Sequence, residues 1–318
     1  MFEDFLTIFI TVDFYVAIVR MATPLMLAAV GGLLAEKAGV VTFSLESMML
    51  MGTIGGIIGS GLTGNVWAGV LLAITFGIIF GLIYAVMAVT IGAHQIVTSV
   101  AMNMGALGLT SILYALAFTS GDEVIQEVIV VPGLSIWKIP LLGDIPILGP
   151  IFFNHIPIVY VAFLMVPTVW FILYRTSWGL KIRAVGEHPH AADTVGINVF
   201  TVRYLTLVFT GAMGGLAGVF LSLGMLNSFM ENMTAGRGFI AYTAIVFGKW
   251  EPVGVMLGTL LFGAADALQL RMQAMGFPVP PQFMTASPYI VTLVILVLVM
   301  GKASWPAASA LPFKREGK

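Results

Sequence analysis

Long apolar runs divide this chain, and nearly all of them have the length of a membrane span. A helix needs about 20 mainly apolar residues to cross the hydrocarbon core of a bilayer. Such stretches lie near 14–34, 43–61, 66–91, 95–119, 155–174, 199–223, 253–270 and 285–301. A ninth apolar piece, 239–248, is too short to span unaided. The pattern predicts an all-α, polytopic transmembrane helical bundle of roughly 7–10 membrane segments, with a short or re-entrant piece near 239–252.

Small residues recur inside the apolar runs, as at 52–56 and 211–215. They let helix backbones approach closely where no hydrophobic effect drives helix association. Alternating strands of about ten residues, which a membrane barrel requires, do not occur. The windows 69–73 and 254–258 also resemble each other, which indicates either an internal repeat, as is common in transporters, or a chance match.

Charges in the loops predict the orientation of the chain, because loops rich in Lys and Arg stay in the cytoplasm. Four bases lie in or beside the loop 175–198, and four more lie in the tail 302–318. The stretch 120–154 has four acids and one base, and the first 13 residues have three acids and no base. We expect a single membrane domain, 1–318, with an outer loop at 120–154, a cytoplasmic loop at 175–198, a cytoplasmic tail and an external N-terminus.

This orientation requires an odd number of crossings. Nine crossings result if 239–248 crosses the membrane. Seven result if 239–248 and 253–270 form one re-entrant pair.

Composition excludes several classes of protein. Of 318 residues, 59% are hydrophobic and 9% charged, with a mean hydropathy of +1.03; a soluble domain carries roughly a quarter charged residues. A net charge of −1 offers no basic face to nucleic acid. The chain has no cysteine, and its four histidines lack the spacing of a shared metal site. We expect contact with membrane lipids, no nucleic-acid partner, no metal and no cofactor bound by this chain.

Polar side chains form a stripe on the helix that begins near residue 95. At 100° per residue, the stripe occupies an arc of roughly 140° and comprises Gln95, Thr98, Ser99, Asn103 and Thr110. A polar stripe on a membrane helix faces the bundle interior. Interhelical hydrogen bonding and the lining of a solute pathway both account for it.

Two carboxylates stand inside apolar spans. Glu46 lies early in its span, where an uncompensated carboxylate costs about 3 kcal/mol if it is central. It can pair with Lys37 near the cytoplasmic end, and contact with a translocated ligand is the alternative. Asp266, with Gln269 and Gln273, lies near a helix end, where interfacial solvation accounts for it.

The segment 227–252 is the most irregular part of the chain. Asn227, Glu231 and Asn232 precede its short apolar piece, and a charged, proline-containing break follows it at 248–252. Such backbone cannot face lipid, so it lies at an interface or lines a cavity, as in the broken helices of transporters. An ordinary cytoplasmic turn is the alternative.

The loop 175–198 is longer than a simple connector, which needs about 2–8 residues. Pro189 near a start and Gly196 past an end are the punctuation of a short helix. That helix would lie outside the membrane, and a loop of this length favours a docking role.

Six segments carry a resemblance to a known family: 32–41, 45–49, 184–198, 231–241, 247–250 and 265–271. They resemble the permease subunits of bacterial ABC importers in the branched-chain amino acid/ribose superfamily, in the branch that handles nucleosides and simple sugars. The similarity extends over nearly the whole chain. One departure is the run 42–47, Thr-Phe-Ser-Leu-Glu-Ser, where the family commonly has Asn-Ile-Gly-Leu-Glu-Gly, so helix approach or substrate contact can differ there.

The resemblance implies a permease that translocates a small polar solute, nucleosides first and simple sugars second, across the bacterial cytoplasmic membrane. It implies a coupling helix that docks on an ATPase, formed by Gly186, Glu187, Pro189, Ala191, Ala192 and Gly196. The implied partners are a cytoplasmic ABC ATPase subunit that binds ATP and Mg²⁺, a second and different permease subunit, and an extracytoplasmic substrate-binding lipoprotein that docks on loops such as 120–154. The candidate pathway residues are Glu46, Gln95, Ser99, Asn103, Asn227, Glu231 and Asn232.

The chain itself is not expected to be an enzyme. A phosphate-binding loop of the form Gly-x-x-x-x-Gly-Lys-Ser/Thr is absent from the sequence, since Trp250 and Ala303 follow the two Gly-Lys pairs. Two other classes remain as alternatives. An ion-coupled secondary transporter would use Glu46 or Asp266, and a membrane enzyme would need a nucleophile–base constellation that the sequence does not display.

Overall fold

The structure, a computed structural model, describes residues 9, 11–118, 130–276, 282, 286, 290 and 305–315. The elements of these ranges are α1 (Val12–Lys37), α2 (Leu45–Thr63), α3 (Val66–Ala85), α4 (Gln95–Phe118), β1 (Trp137–Lys138), α5 (Leu148–Phe152), β2 (Asn154–His155), α6 (Pro157–Arg175), α7 (Ser177–Glu187), α8 (Pro189–Thr194), α9 (Val199–Val219), α10 (Arg237–Phe247) and α11 (Pro252–Ala274). Helices α3 and α9 continue as π-helical turns, Val86–Thr90 and Phe220–Leu226.

Seven of these helices are long and apolar enough to cross a membrane: α1, α2, α3, α4, α6, α9 and α11. They correspond to the first seven predicted stretches, and the all-α polytopic bundle is confirmed. The predicted span 285–301 lies outside the described residues, apart from 286 and 290. The short piece 239–248 is largely α10, whose 11 residues extend only about 16 Å at 1.5 Å per residue.

Helices α1, α2 and α9 are the most buried spans of the bundle, and small residues let the backbones of α2, α3 and α9 touch. A Cβ built on Gly52 of α2 would lie 2.7 Å from the Cα of Gly215 in α9, and one built on Gly77 of α3 would lie 2.9 Å from the same atom. Gly215 therefore sits between two helices at backbone contact. In α2, 83% of the most apolar window is buried, against 28% in α4, which lies at the periphery.

The two ends of the bundle are defined by different contacts. At the α8 end, the Arg203 side chain donates to Ala38 O, and Ala308 N donates to Gly186 O. The end of α1, the α7–α8 loop, the start of α9 and the segment 305–315 therefore lie together. At the β1–β2 end, Val131 N donates to Asn227 O.

The segment 228–247 passes from one end of the bundle to the other. It begins after Asn227, which lies at the β1–β2 end, and it is followed by Trp250, whose indole donates a hydrogen bond to Glu36 at the α8 end. Residues 228–236 cover the first part without a regular helix, and α10 covers the rest. The segment is thus a broken crossing. Helix α11 then returns separately, so the alternative of a re-entrant pair does not match this path.

Candidate functional site

Glu46 anchors the start of the half-helix α10. Its side chain is buried, and Oε1 accepts hydrogen bonds from Thr234 Oγ1 (2.5 Å) and Gly236 N (2.9 Å). Oε2 accepts from Gly238 N (2.6 Å). The carboxylate satisfies backbone donors that have no partner inside α10, and its charge is favourable at a helix N-terminus. The predicted pairing with Lys37 is wrong, because the hydrogen-bond partners of Glu46 in the described part of the chain all lie on the broken crossing.

Glu36 makes an equivalent connection at the end of α1. It is fully buried, and Oε1 accepts from the Thr42 backbone N (2.7 Å) and Oγ1 (3.1 Å). Oε2 accepts from Trp250 Nε1 at 3.2 Å, which ties α1 to the turn between α10 and α11. Sequence reasoning did not single out Glu36, because an acid next to Lys37 at the end of an apolar run is usually a solvated charge. The only signal was its place in the family-like segment 32–41.

The polar stripe of α4 faces the bundle interior, as predicted. All five of its side chains are buried, whereas Met104 on the opposite face is 74% exposed. Ser99 Oγ donates within its own helix, to Gln95 O at 2.8 Å. The stripe therefore avoids the lipid-facing side of the helix.

Two amides of this stripe bind the turn between α1 and α2. Gln95 Oε1 accepts from Val41 N (2.8 Å). Asn103 Oδ1 accepts from Ser47 N (3.0 Å), and Nδ2 donates to Phe43 O (3.0 Å). Both amides thus satisfy backbone groups of the turn and of the first turn of α2 that have no partner inside a helix and would be costly to leave unpaired in the membrane.

We call the residues Glu36, Thr42, Glu46, Gln95, Asn103 and Trp250 the polar junction, because their hydrogen bonds join α1, α2, α4, α10 and the 248–251 turn. Most of its polar atoms are paired, so the junction fixes backbone positions. Gln95 Nε2 has no hydrogen-bond partner among the described residues. The described part of the chain also contains no group of three His, Cys, Asp or Glu side chains that could hold a metal ion.

The side chains of the remaining pathway candidates make no hydrogen bond with the junction among the described residues. Glu231 and Asn232 are exposed on the irregular part of the broken crossing. Asn227 adopts a left-handed conformation (φ 55°) and lines a cavity of about 460 Å³ at the β1–β2 end. Burial lowers the pKa of His155 in the same cavity wall. The seven predicted pathway residues therefore do not converge on one site. Four belong to the junction or lie beside it: Glu46, Gln95, Ser99 and Asn103. The other three do not: Asn227, Glu231 and Asn232.

The predicted short helix outside the spans is present as α8, Pro189–Thr194, and Gly196 follows it at φ 85°. Of the six coupling candidates, Glu187, Ala191 and Gly196 are exposed, and Pro189 is half-buried. Gly186 and Ala192 are buried beneath them. The exposed members can contact a partner, whereas the buried ones support α8. Helix α7 precedes α8 and was not predicted.

The C-terminal segment 305–315 packs on α8, which no sequence pattern indicated. The Arg315 guanidinium binds the Asp193 carboxylate with two hydrogen bonds. The Phe313 ring lies 5.0 Å from the ring of His190 and 5.6 Å from that of Phe200. Because these contacts join residues more than a hundred positions apart, no local signal could have found them.

Arg203 is one of the four bases in or beside the loop 175–198, but it is buried in the first turns of α9. Its Nε donates to Ala38 O (3.2 Å), and Nη1 donates to Leu311 O (3.1 Å). Its role is therefore to join the segment 305–315 to α1 and α9.

A family model described as "Branched-chain amino acid transport system / permease component" matches residues 14–300. The chain belongs to this family. It is a multi-pass membrane protein and the permease subunit of an ABC importer; subunits of this kind are not enzymes themselves.

Three relatives align with nearly all of this permease. The guanosine ABC transporter permease protein NupQ of Bacillus subtilis is 37% identical, covering 92% of this chain and 93% of its own. TsgC13 of Haloferax volcanii, named as a glucose ABC transporter permease protein, is 36% identical over 88% and 89% of the two chains. The nucleoside ABC transporter permease protein NupC of Lactococcus lactis is 33% identical over 92% and 93%.

Two of these organisms have a second protein similar to this permease. The guanosine ABC transporter permease protein NupP of Bacillus subtilis is 24% identical over 90% of this chain and 80% of its own. The nucleoside ABC transporter permease protein NupB of Lactococcus lactis is 27% identical over 44% and 38% of the two chains. No solved structure matches this permease at a significant level.

Proposed function

We propose that this permease and a second, different permease subunit form the membrane core of an ATP-driven importer of nucleosides in the bacterial cytoplasmic membrane. The observation that carries the substrate is the similarity, over about nine tenths of the chain, to permeases named for guanosine and for nucleosides. The occurrence of two similar permeases in each of those bacteria supports a heterodimeric core.

The energy is proposed to come from a separate ATPase subunit, which binds ATP and Mg²⁺ and docks on α8. The support is structural: α8 is a short helix with exposed Ala191, directly after exposed Glu187 at the end of α7, and it lies at the end of the bundle that carries Lys181 and Arg315. A substrate-binding lipoprotein is proposed to dock at the opposite end, on the loop that contains β1 and β2.

The α8 end is proposed to be cytoplasmic and the N-terminus external. Because the chain has no cysteine, single cysteines report on sidedness directly. Val195→Cys (75% exposed at the α8 end) and Trp137→Cys (61% exposed on β1) are the matched pair. In intact cells a membrane-impermeant maleimide should label only the second. Labelling of only the first would reverse the orientation.

The solute path is proposed to run beside the polar junction and the broken crossing. The exposed side chains of Glu231 and Asn232 supply hydrogen-bonding groups for a polar solute, and the buried amide nitrogen of Gln95, which has no partner among the described residues, lies in the wall behind the path. In this arrangement, Glu46 and Asn103 keep the wall of the path in place.

The test of function is uptake by proteoliposomes that contain both permeases, the ATPase and the lipoprotein. Radiolabelled guanosine should accumulate only with hydrolysable ATP, and ionophores that dissipate ion gradients should not reduce the rate. Uptake that survives without ATP and collapses with ionophores would favour an ion-coupled transporter.

A simple sugar is the second candidate substrate, favoured by the 36% identity to TsgC13, whose name assigns it to glucose. A competition assay distinguishes the two candidate substrates. Excess unlabelled guanosine should block uptake of the labelled nucleoside while excess glucose leaves it unchanged, and the opposite pattern with labelled glucose would assign the permease to sugars.

A further inference from the structure

The segment 305–315 is attached to the bundle at both ends. At its start, the ring of Trp305 lies 6.5 Å from that of Trp250, in an edge-to-face arrangement. At its other end, Arg315 binds Asp193 of α8. Between them, Ala308 N donates to Gly186 O (2.9 Å), and Leu311 O accepts from buried Arg203 (3.1 Å). The segment thus bridges the 248–251 turn and the proposed coupling helix.

Helix α8 depends on these contacts for its position. Its six residues are far below the 12 or so residues that a helix needs to be even marginally stable alone. Of these six, Ala192 packs inward, whereas His190 and Asp193 point to Phe313 and Arg315. Two of the side chains that orient α8 are therefore held by residues 305–315.

We propose that residues 305–315 position α8 for the ATPase, with the Asp193–Arg315 pair and Phe313 as the positioning contacts. The inference rests on the proposed coupling role of α8 and extends it to a segment that no sequence pattern assigned to coupling. Because the same segment also touches Trp250, a displacement of α8 by the ATPase reaches the turn that follows the broken crossing.

The charge of the pair supports this assignment. Hydrogen bonds from Arg315 lower the pKa of the Asp193 carboxyl, so that it is ionised at neutral pH. An Arg–carboxylate pair with two parallel hydrogen bonds fixes orientation as well as distance. Both side chains lie near solvent, so their contribution concerns the geometry of α8 more than the stability of the bundle.

A charge-swap experiment on the complete importer tests the proposal. Asp193→Arg and Arg315→Asp should each weaken binding of the ATPase subunit to the detergent-solubilised permease pair, by about two- to fivefold for a partly exposed ion pair. The double variant, which restores the pair in reverse, should recover binding and uptake. Lys314→Asp is the control, because this exposed neighbour makes the same change of charge and should bind like the wild type.

Phe313→Ala provides a second variant that leaves the charges unchanged. It should also weaken ATPase binding. Because the Phe313 ring is buried, its loss lowers the melting temperature, so binding is compared at a temperature at which the purified variant is folded. Wild-type binding in both single charge variants and in Phe313→Ala would overturn the positioning role. The positioning role would also be overturned if both single charge variants weaken ATPase binding and the double variant does not restore it.

Two further variants distinguish a failure of this inference from a failure of the proposed function. If Glu187→Lys and Gly196→Trp leave ATP-dependent uptake intact, α8 is not the docking element and the basis of the inference falls. If those two variants uncouple the importer while the Asp193 and Arg315 variants do not, only the role of 305–315 is wrong.

Discussion

The carboxylate of Glu46 and the backbone amide of Gly238 are joined by a 2.6 Å hydrogen bond across 192 residues of sequence. This bond fixes the start of α10 against the start of α2 inside the bundle. A Cβ built on Gly238 would lie 2.7 Å from Glu46 Oε2, so the backbone can approach the carboxylate only because residue 238 is glycine. The broken crossing is therefore anchored at its break by a buried charge.

Replacing Glu46 with Gln should destabilise this anchor. The amide keeps the size of the side chain but loses the charge, and its NH₂ group opposes the backbone donors of α10. We expect the free energy of unfolding to fall by about 1–3 kcal/mol, together with a loss of uptake. Thermal unfolding followed by tryptophan fluorescence measures the first effect. Glu231→Gln, the same change at an exposed site, should leave the free energy of unfolding unaltered, and an equal loss of stability in the two variants would contradict the anchoring role.

Replacing Asn103 with Leu should also impair the permease. It removes the partners of Ser47 N and Phe43 O, and each unpaired buried group costs about 1–3 kcal/mol. Lower melting temperature and lower yield of folded protein in detergent are the readouts. Met104→Leu changes the exposed neighbour on the same helix and should be neutral. A wild-type melting temperature and uptake in Asn103→Leu would leave the stripe without a role.

The close packing of the α3 and α9 backbones predicts that one added methyl group lowers the stability of the permease. A Cβ on Gly211 of α9 would lie 2.9 Å from the backbone carbon of Gly77 and 3.0 Å from Ile78 Cα in α3. Gly211→Ala should cost about 1–3 kcal/mol through overpacking. A Cβ on Gly105 of α4 meets no atom within 4 Å, so Gly105→Ala should be neutral or slightly stabilising. Gly211→Ala that melts like Gly105→Ala would argue against the contact between α3 and α9.

The stability of the permease should depend on pH through His155. Burial lowers its pKa below the ordinary value of 6.5, so the unfolded chain binds the proton more readily than the folded protein. The contribution of the neutral ring to stability is therefore complete above pH 6.5 and declines below it, towards the folded pKa.

The melting temperature measured between pH 8 and pH 5 should show this decline, and His155→Gln should reduce its slope. His94→Gln removes an exposed histidine and should leave the slope unchanged. Identical pH profiles of the wild type and His155→Gln would refute the assignment.

Coupling through α8 predicts uncoupled but folded variants. Glu187→Lys reverses an exposed charge, and Gly196→Trp adds bulk at a position with φ 85° and no neighbour within 4 Å. Both should reduce binding of the ATPase and substrate-stimulated ATP hydrolysis, while the membrane domain still purifies as a stable species.

Gly64→Trp is the matched control for backbone strain, since Gly64 has φ 67° and open space at the opposite end of the bundle. It should leave ATPase binding intact. Normal stimulation and uptake in both α8 variants would exclude α8 as the coupling element.

The sequence by itself determined the membrane bundle, seven of its spans, the inward face of α4 and the short helix α8. These properties depend on local pattern: a helix of about 20 apolar residues spans a bilayer, an amide avoids lipid, and Pro and Gly mark helix ends. Each can be detected within a short window. The pattern indicated that Glu46 and Asn103 are buried polar groups, but it did not identify their partners.

Only the tertiary structure decided which residues meet. Glu46 binds the broken crossing instead of Lys37, Glu36 binds Trp250, and residues 305–315 pack on α8. Each of these contacts joins parts of the chain that are more than a hundred residues apart. A polar side chain in a membrane helix must find a partner, but which one it finds depends on which faces the packed helices bring together. For the same reason Asn227, Glu231 and Asn232, selected from the irregular segment 227–252, make no side-chain hydrogen bond with the polar junction among the described residues.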